Sequence, residues 1–327
     1  MKQPRVAIIG CGLIGKKRAD AVGANMVTAC ADIDIDRARA LNAPVASKDW
    51  RDIIKRDDVD VVIVAAITSM LAEVSAAALD AGKHVLVEKP AARTVAEIDR
   101  VIDARNRSGK LVHVGFNHRY HPALLRAKDL HSEGALGEMM FVRGRYGHGG
   151  RVGYDREWRA NPELAGGGEL IDQGVHLIDL SRQFLGDFTS IEGFATTYYW
   201  DMPVDDNAFL LLRTRDEKTA ALHVSCTEWK NLFSLEIYGR NAKLHVEGLG
   251  GSYGVERLAY YRMLPQMGPP ETTIWEFSRA DESWRVETNE FLEDIRENRA
   301  PAASLEDARA ALEVVGEIYK RSGYEFD

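Results

Sequence analysis

Cysteine is scarce in this chain: Cys11, Cys30 and Cys226 are the only three in 327 residues. An odd number without metal-ligand spacing argues against a disulfide framework and fits a reducing, cytoplasmic compartment. Also missing is any apolar run long enough to span a bilayer. Lys2 and Arg5 precede an apolar stretch, as in a secretory signal. Lys16-Lys17-Arg18 follows that stretch directly, without a small-residue cleavage site, so it reads as part of the fold. No block of like charge, internal repeat or low-complexity segment occurs. A formal net charge of −8 argues against a nucleic-acid surface, and the six tryptophans are scattered as packing residues. What is present, 45% hydrophobic and 28% charged residues, suits a globular protein long enough for two domains.

The most informative segment is Val6-Ala7-Ile8-Ile9-Gly10-Cys11-Gly12-Leu13-Ile14-Gly15. A short apolar strand breaks at G-x-G-x-x-G and runs into a helix-like stretch. The first glycine permits a tight turn, the second lets backbone approach a pyrophosphate, and the third lets helix and strand pack closely. The helix N-terminus then offers amide groups and partial positive charge to phosphates. A second apolar run, Met26 to Ala31, ends at Asp32, at the spacing expected of a carboxylate that binds a ribose hydroxyl. That carboxylate favours NAD over NADP, whose 2′-phosphate it repels. Arg37 could partly offset this, though Arg37-Ala38-Arg39-Ala40 also reads as plain helix.

Strand and helix alternate through about residue 120. Strands are expected at 59–66, 83–87 and 110–115, and helices at 72–81 and 95–108. Near-continuous Val/Ile runs imply a parallel sheet covered on both faces. After Pro122 the pattern changes. Helices are expected at 123–132 and 168–185 and a strand at 139–144. Leu222, Val224 and Cys226, and then Phe233, Leu235 and Ile237, alternate with polar residues, which marks an antiparallel sheet with one buried face. The irregular stretch from Gly248 to Trp284 reads as a long loop or lid, or as a segment serving an interface. Ser304-Leu305-Glu306-Asp307 starts a last helix over 308–319.

Four segments could carry chemistry. Lys89, in Glu88-Lys89-Pro90, follows a strand whose carboxyl end would face a ligand crevice, and Pro90 restrains its backbone. Its ammonium could stabilise a developing alkoxide; alternatively it is a surface lysine at a turn. In Gly166-Gly167-Gly168-Glu169-Leu170-Ile171-Asp172-Gln173-Gly174-Val175-His176 the glycines allow a close backbone approach. On a helix, Asp172 and His176 share a face, as a general acid/base pair, a surface ion pair or a core histidine would. No third ligand falls at metal spacing, so no metal is expected. Asn117 and Arg119 could line the crevice, with Arg119 binding a substrate hydroxyl or the nicotinamide amide, or forming a domain-linker salt bridge. Trp158 and Arg159 could wall a pocket, or Trp158 could pack in the core.

In this order behind the fingerprint, Glu88-Lys89-Pro90 and Asp172-x-x-x-His176 resemble the glucose–fructose oxidoreductase / inositol dehydrogenase / rhizopine-catabolism (Gfo/Idh/MocA) family over nearly the whole chain. The resemblance implies an α/β fold with a Rossmann domain at 1–121. At 122–327 it implies a substrate-binding and oligomerisation domain built on a large, mostly antiparallel, open-faced sheet. It implies catalysis by Lys89, Asp172 and His176. Cofactor contacts would come from Gly10, Gly12, Leu13, Ile14, Gly15, Asp32, Arg37, Ala66, Thr68, Glu88 and Lys89. Substrate contacts would add Asn117, Arg119, Trp158 and Arg159. The expected activity is NAD(P)-dependent hydride transfer to or from a ring carbon of a sugar, cyclitol or nucleotide-linked sugar, by a cytoplasmic homodimer or homotetramer. An NAD-dependent glycosidase and a non-catalytic sensor are the alternatives. The chain departs from the family at Ala66-Ile67-Thr68-Ser69-Met70-Leu71, where Thr-Pro-Asn-x-x-His is usual.

Overall fold

The computed structural model describes residues 3–23 and 25–324. In chain order the elements of the first part are β1 (Val6–Ile9), α1 (Leu13–Val22), β2 (Val27–Ala31), α2 (Ile35–Arg39), β3 (Val45–Ser47), α3 (Trp50–Ile54), β4 (Val61–Val64), α4 (Thr68–Asp80), β5 (His84–Glu88), α5 (Val95–Ser108) and β6 (Val112–Gly115). There follow α6 (Pro122–Ser132), β7 (Met139–Gly147), α7 (Pro162–Ala165), α8 (Val175–Leu185), β8 (Phe188–Thr196), β9 (Asn207–Thr214), β10 (Thr219–Ser225), β11 (Leu232–Gly239) and β12 (Ala242–Glu247). The last are β13 (Glu256–Arg262), β14 (Glu271–Phe277), α9 (Ser283–Glu297) and α10 (Leu305–Ser322).

The chain divides into two units, one comprising Met1–Phe116, Leu164–Gly166 and Trp284–Leu312 and the other the remainder. A single break after residue 121 therefore misses the return of the chain to the first unit. The reason is packing: Phe291 and Leu292 of α9 belong to the same core cluster as Val6, Ile8, Val61, Ile63 and Leu86.

The first unit holds a six-stranded sheet in the order β3-β2-β1-β4-β5-β6, with every pairing parallel. Strand order reverses between β1 and β4, and ligands of doubly wound sheets bind at such a switch point. All four residues of β1 and of β4 are buried, as their unbroken apolar sequences require. Helix α5 has the bounds its sequence implies. Thr94 caps its start by accepting from the Glu97 amide at 3.2 Å. Gly109 ends it in the left-handed region at φ 65°.

The second unit holds an eight-stranded sheet in the order β14-β13-β12-β11-β7-β10-β9-β8. Its neighbours are antiparallel except β7 and β10, which are parallel. Alternation sets its faces: Leu210 and Leu212 of β9 are buried while Leu211 between them is half exposed. Leu177 of α8 closes over Gly144 of β7. The opposite face is open and carries Arg143, Phe209, His223 and Glu236 around a shallow depression.

Two local readings change. Residues 248–284 are not a structureless loop, because β13 pairs with both β12 and β14. The expected continuous helix over 168–185 is instead a π-helical turn, Leu170–Gly174, leading into α8.

Candidate active site

The glycine loop of the first unit sorts its three glycines by what surrounds them. Gly10 has φ +89°, and a Cβ there would lie 2.5 Å from the Ala65 carbonyl. A Cβ on Gly15 would lie 2.0 Å from the Gly10 oxygen. Both are glycine because this unit's own backbone demands it. A Cβ on Gly12, by contrast, would meet no described atom within 4 Å. The fold does not need a glycine there, so the open space is left for something outside the chain. Gly12 also precedes α1 without a side-chain cap, so the first-turn amides of Leu13 and Ile14 are available to an anion. These residues fit the pyrophosphate of a dinucleotide.

Asp32 stands just past β2. Its carboxylate accepts the Cys11 amide at 2.7 Å and the Asp34 amide at 2.9 Å. It is thus locked beside the glycine loop with acceptor capacity left for a ribose diol. Ile33, next to it, is 91% exposed. Arg37 sits on the surface of α2 and pairs with Asp34 at 3.3 Å, as the plain-helix reading has it. Ala66 follows β4, and Thr68 opens α4 and is buried.

Glu88 has a structural task that the sequence does not announce. Arg18 of α1 is fully buried; its Nε donates to Glu88 at 2.6 Å and its Nη1 to Glu287 of α9 at 2.6 Å. His113 approaches Glu287 at 3.3 Å, and Arg18 also lies over the Trp284 ring. Burial pushes the Glu88 carboxyl up despite Arg18. At Glu287 burial is outweighed by Arg18 and His113, and the carboxyl is held low. The one hint in the sequence is that Arg18 lies three residues after Gly15, on the inward face of α1. Lys89 follows Glu88 at the end of β5 and is half-buried.

In the second unit, the close approaches at Gly167 and Gly168 are to the protein itself. Gly167 has φ +146° with the Tyr319 hydroxyl 2.2 Å from a would-be Cβ, and Gly168 is against the Asp205 carbonyl at 2.0 Å. The Asp205 carboxylate accepts from the Gly168 amide at 2.9 Å, the Leu170 amide at 2.7 Å and the Tyr319 hydroxyl at 2.7 Å. Burial pushes this carboxyl up to about 6. Asp205 therefore anchors the start of the π-helical turn, and such turns are frequent at functional sites.

That turn presents Asp172, whose Oδ2 accepts from Arg159 Nε at 3.1 Å. Arg159 in turn lies over the Trp158 ring, 4.6 Å from its centroid. Asp172 thus pairs with Arg159, a partner the helical spacing did not suggest. His176, 3% exposed, stacks on His118 with ring centroids 3.7 Å apart and planes 21° apart. Asn117 donates to Ser283 Oγ at 3.0 Å, and Arg119 forks onto Asp179 of α8. This salt bridge lies within the second unit and is not a domain linker. Sequence reasoning missed His118, His148 and Glu169. His148 lies 3.5 Å from the buried Glu169. Burial lowers the His148 pKa, but the Glu169 carboxylate outweighs it and the imidazole is held above its usual range. Its place between Gly147 and Gly149, just past a strand end, was the available signal. Among the described residues no group of His, Cys, Asp and Glu is arranged to hold a metal ion.

Residues 4–116 match the family model described as oxidoreductase family, NAD-binding Rossmann fold. Residues 124–245 match the GFO/IDH/MocA C-terminal domain. The chain belongs to the GFO/IDH/MocA family, and its first unit carries that family's NAD-binding Rossmann fold. It is 32% identical over 221 residues to levoglucosan dehydrogenase of Pseudarthrobacter phenanthrenivorans, covering 62% of this chain and 57% of the relative. It is 32% identical over 193 residues to inositol 2-dehydrogenase of Salmonella paratyphi B, covering 56% of this chain and 55% of the relative. The chain thus spans little more than half the length of these curated relatives. A solved levoglucosan dehydrogenase in complex with NADH and levoglucosan superimposes with a TM-score of 0.88 at 24% identity, covering 98% of both chains. That likeness is one of fold.

Proposed function

We propose that the protein is an NAD-dependent dehydrogenase that moves a hydride between the nicotinamide and a hydroxyl-bearing ring carbon of a sugar or cyclitol. The observation that carries this reading is the glycine loop: a glycine the fold does not need, beside a carboxylate already locked by a loop amide. The names of the relatives, levoglucosan dehydrogenase and inositol 2-dehydrogenase, support a polyhydroxylated ring as substrate. Asp32 favours NAD, and Arg37, turned to Asp34, supplies little to offset it.

When bound, the nicotinamide supplies the hydride acceptor or donor. The chain's own groups bind, aim and move the proton. His176 accepts the hydroxyl proton on oxidation, and the Lys89 ammonium stabilises the developing alkoxide. Asp172 and Arg159, held together at 3.1 Å, grip a neighbouring ring hydroxyl as acceptor and donor. A positioned acid/base contributes about 10²–10⁴-fold in rate. Lys89→Ala and His176→Ala should each lose turnover on that scale while keeping the dissociation constant for NADH. Near-normal turnover in both would sink the assignment. The test is a panel of inositols, aldoses, anhydrosugars and nucleotide-linked sugars with NAD and NADP, read by reduced nicotinamide. Aglycone release without its accumulation would instead mark a glycosidase. We place the protein in the cytoplasm. We also propose that the open sheet face of the second unit joins it into a dimer or tetramer. No helix among the described residues is long and apolar enough to cross a membrane.

A further inference from the structure

We propose that His118 is a positioning residue that sets the protonation state of His176. The inference rests on the catalytic role proposed for His176, and the geometry behind it lies wholly within the second unit.

His118 is buried at 8% exposure, and its ring is stacked face to face on His176 at 3.7 Å. The short 3-10 turn Asn117–Tyr120 that carries it is fixed at three points. Asn117 before it is tied to Ser283. Arg119 after it is tied to Asp179, three residues beyond His176 on α8. His121 is tied by its Nδ1 to Glu256 of β13 at 3.0 Å. Three different elements thus hold one ring against another.

The hydrogen bonds also fix which nitrogen carries the proton. Asp281 only accepts, so the Ser283 hydroxyl donates to it, at 2.6 Å. Ser283 Oγ then accepts from Asn117 Nδ2. That turns Asn117 Oδ1 toward His118 Nδ1, 3.3 Å away, and an amide oxygen there requires an N–H on Nδ1. A donor bond of this kind strengthens when the ring becomes cationic.

Two imidazolium rings at this separation in a buried site repel strongly, so the pair takes one proton at a time. The first goes to His118. Its Nδ1–H feeds a chain that ends in a carboxylate, and Glu256 lies one ring away through His121. Asp172, one turn before His176, shares its charge with Arg159. Other ionisable groups about the pair include Tyr146 and Tyr253, which stay neutral phenols, the ion pairs Arg119–Asp179 and His148–Glu169, and, in the proposed mechanism, Lys89, whose ammonium shares the substrate hydroxyl with His176 and disfavours a second cation there. With His118 holding the first proton, His176 remains a neutral base at pH values where a lone histidine would already be protonated.

The experiment is a histidine carbon-labelled NMR titration of the full chain, wild type against His118→Phe, which keeps a stacked ring and removes the competing base. His176 is assigned by loss of its signal in His176→Gln. The midpoint of His176 should rise by about one pH unit or more in His118→Phe, a tenfold change in proton affinity. With a ring alcohol identified as substrate, the acid limb of kcat/KM should move up equally, with the NADH dissociation constant unchanged. His118→Gln, which removes the charge without the ring, is read the same way if the phenylalanine variant does not fold. An unchanged His176 midpoint overturns the proposal. Because the titration needs no turnover, full activity in His176→Gln would defeat the catalytic reading alone and leave the coupling of the two rings to be judged by its own result.

Discussion

Single residues in the loop after β1 separate what the fold needs from what a ligand needs. Gly15→Ala places a methyl 2.0 Å from a backbone oxygen. It should cost about 1–3 kcal/mol of stability, seen as a lower Tm. Gly12→Ala introduces its methyl into open space at φ −71°, a conformation alanine adopts freely. Its Tm should equal or exceed that of wild type, while NADH binding by fluorescence or calorimetry should weaken at least about tenfold. Equal affinity in Gly12→Ala would mean that no dinucleotide phosphate passes there. In the sequence alone the two glycines are alike; their difference comes from which backbone crosses behind each, and that is set by strand pairing. The same limit applies to Glu88 and to Asp172. Their partners, Arg18 and Arg159, lie 70 and 13 residues away, and no local pattern announces them.

Legibility at the scale of elements follows period and punctuation. Helix α5 is legible to the residue because Thr94 and Gly109 bracket it, and the buried strands β1 and β4 are legible as unbroken Val/Ile runs. Strands β13 and β14 are not, because β14 is an edge strand with mostly exposed side chains, so neither a continuous run nor a clean alternation marks it. The Leu170–Gly174 turn is hidden for another reason: π and α helices share residue preferences, and the extra residue per turn shows only in hydrogen bonding. One joint between elements makes a pH prediction. His84, at the start of β5, accepts the Leu111 amide on Nδ1 at 3.1 Å. Burial, then Lys110, holds its pKa down to about 4, below the usual 6.5 of a histidine, with Asp60 opposing. A folded value below the unfolded one means that its contribution is fully present above about 6.5 and is lost as pH falls toward 4. The Tm of the wild type should therefore fall more steeply over that interval than that of His84→Asn, which keeps an acceptor without the charge. Parallel Tm curves would refute this.

For the molecule as a whole, the decisive feature is the return of the chain. The nucleotide-binding unit is completed by residues 284–312, which supply Glu287 to Arg18 and Phe291 to the core. A fragment ending at residue 121, the boundary suggested by sequence alone, leaves a buried guanidinium short of a carboxylate and an apolar face bare. It should be far less stable than the unit in the intact chain, with broad thermal melting and aggregation. Glu287→Ala in the full chain isolates the charge and should cost about 3–5 kcal/mol by denaturant unfolding. A sharply melting, soluble fragment would show that the return segment is dispensable.

That return also sets an order of events on the ribosome. The glycine loop is translated early, yet α9 emerges only after every strand of the eight-stranded sheet. The second unit's sheet can close while the first still waits for α9. The nascent six-stranded sheet must then wait through synthesis of the second unit's strands with one apolar flank uncovered, where chaperones find their substrates.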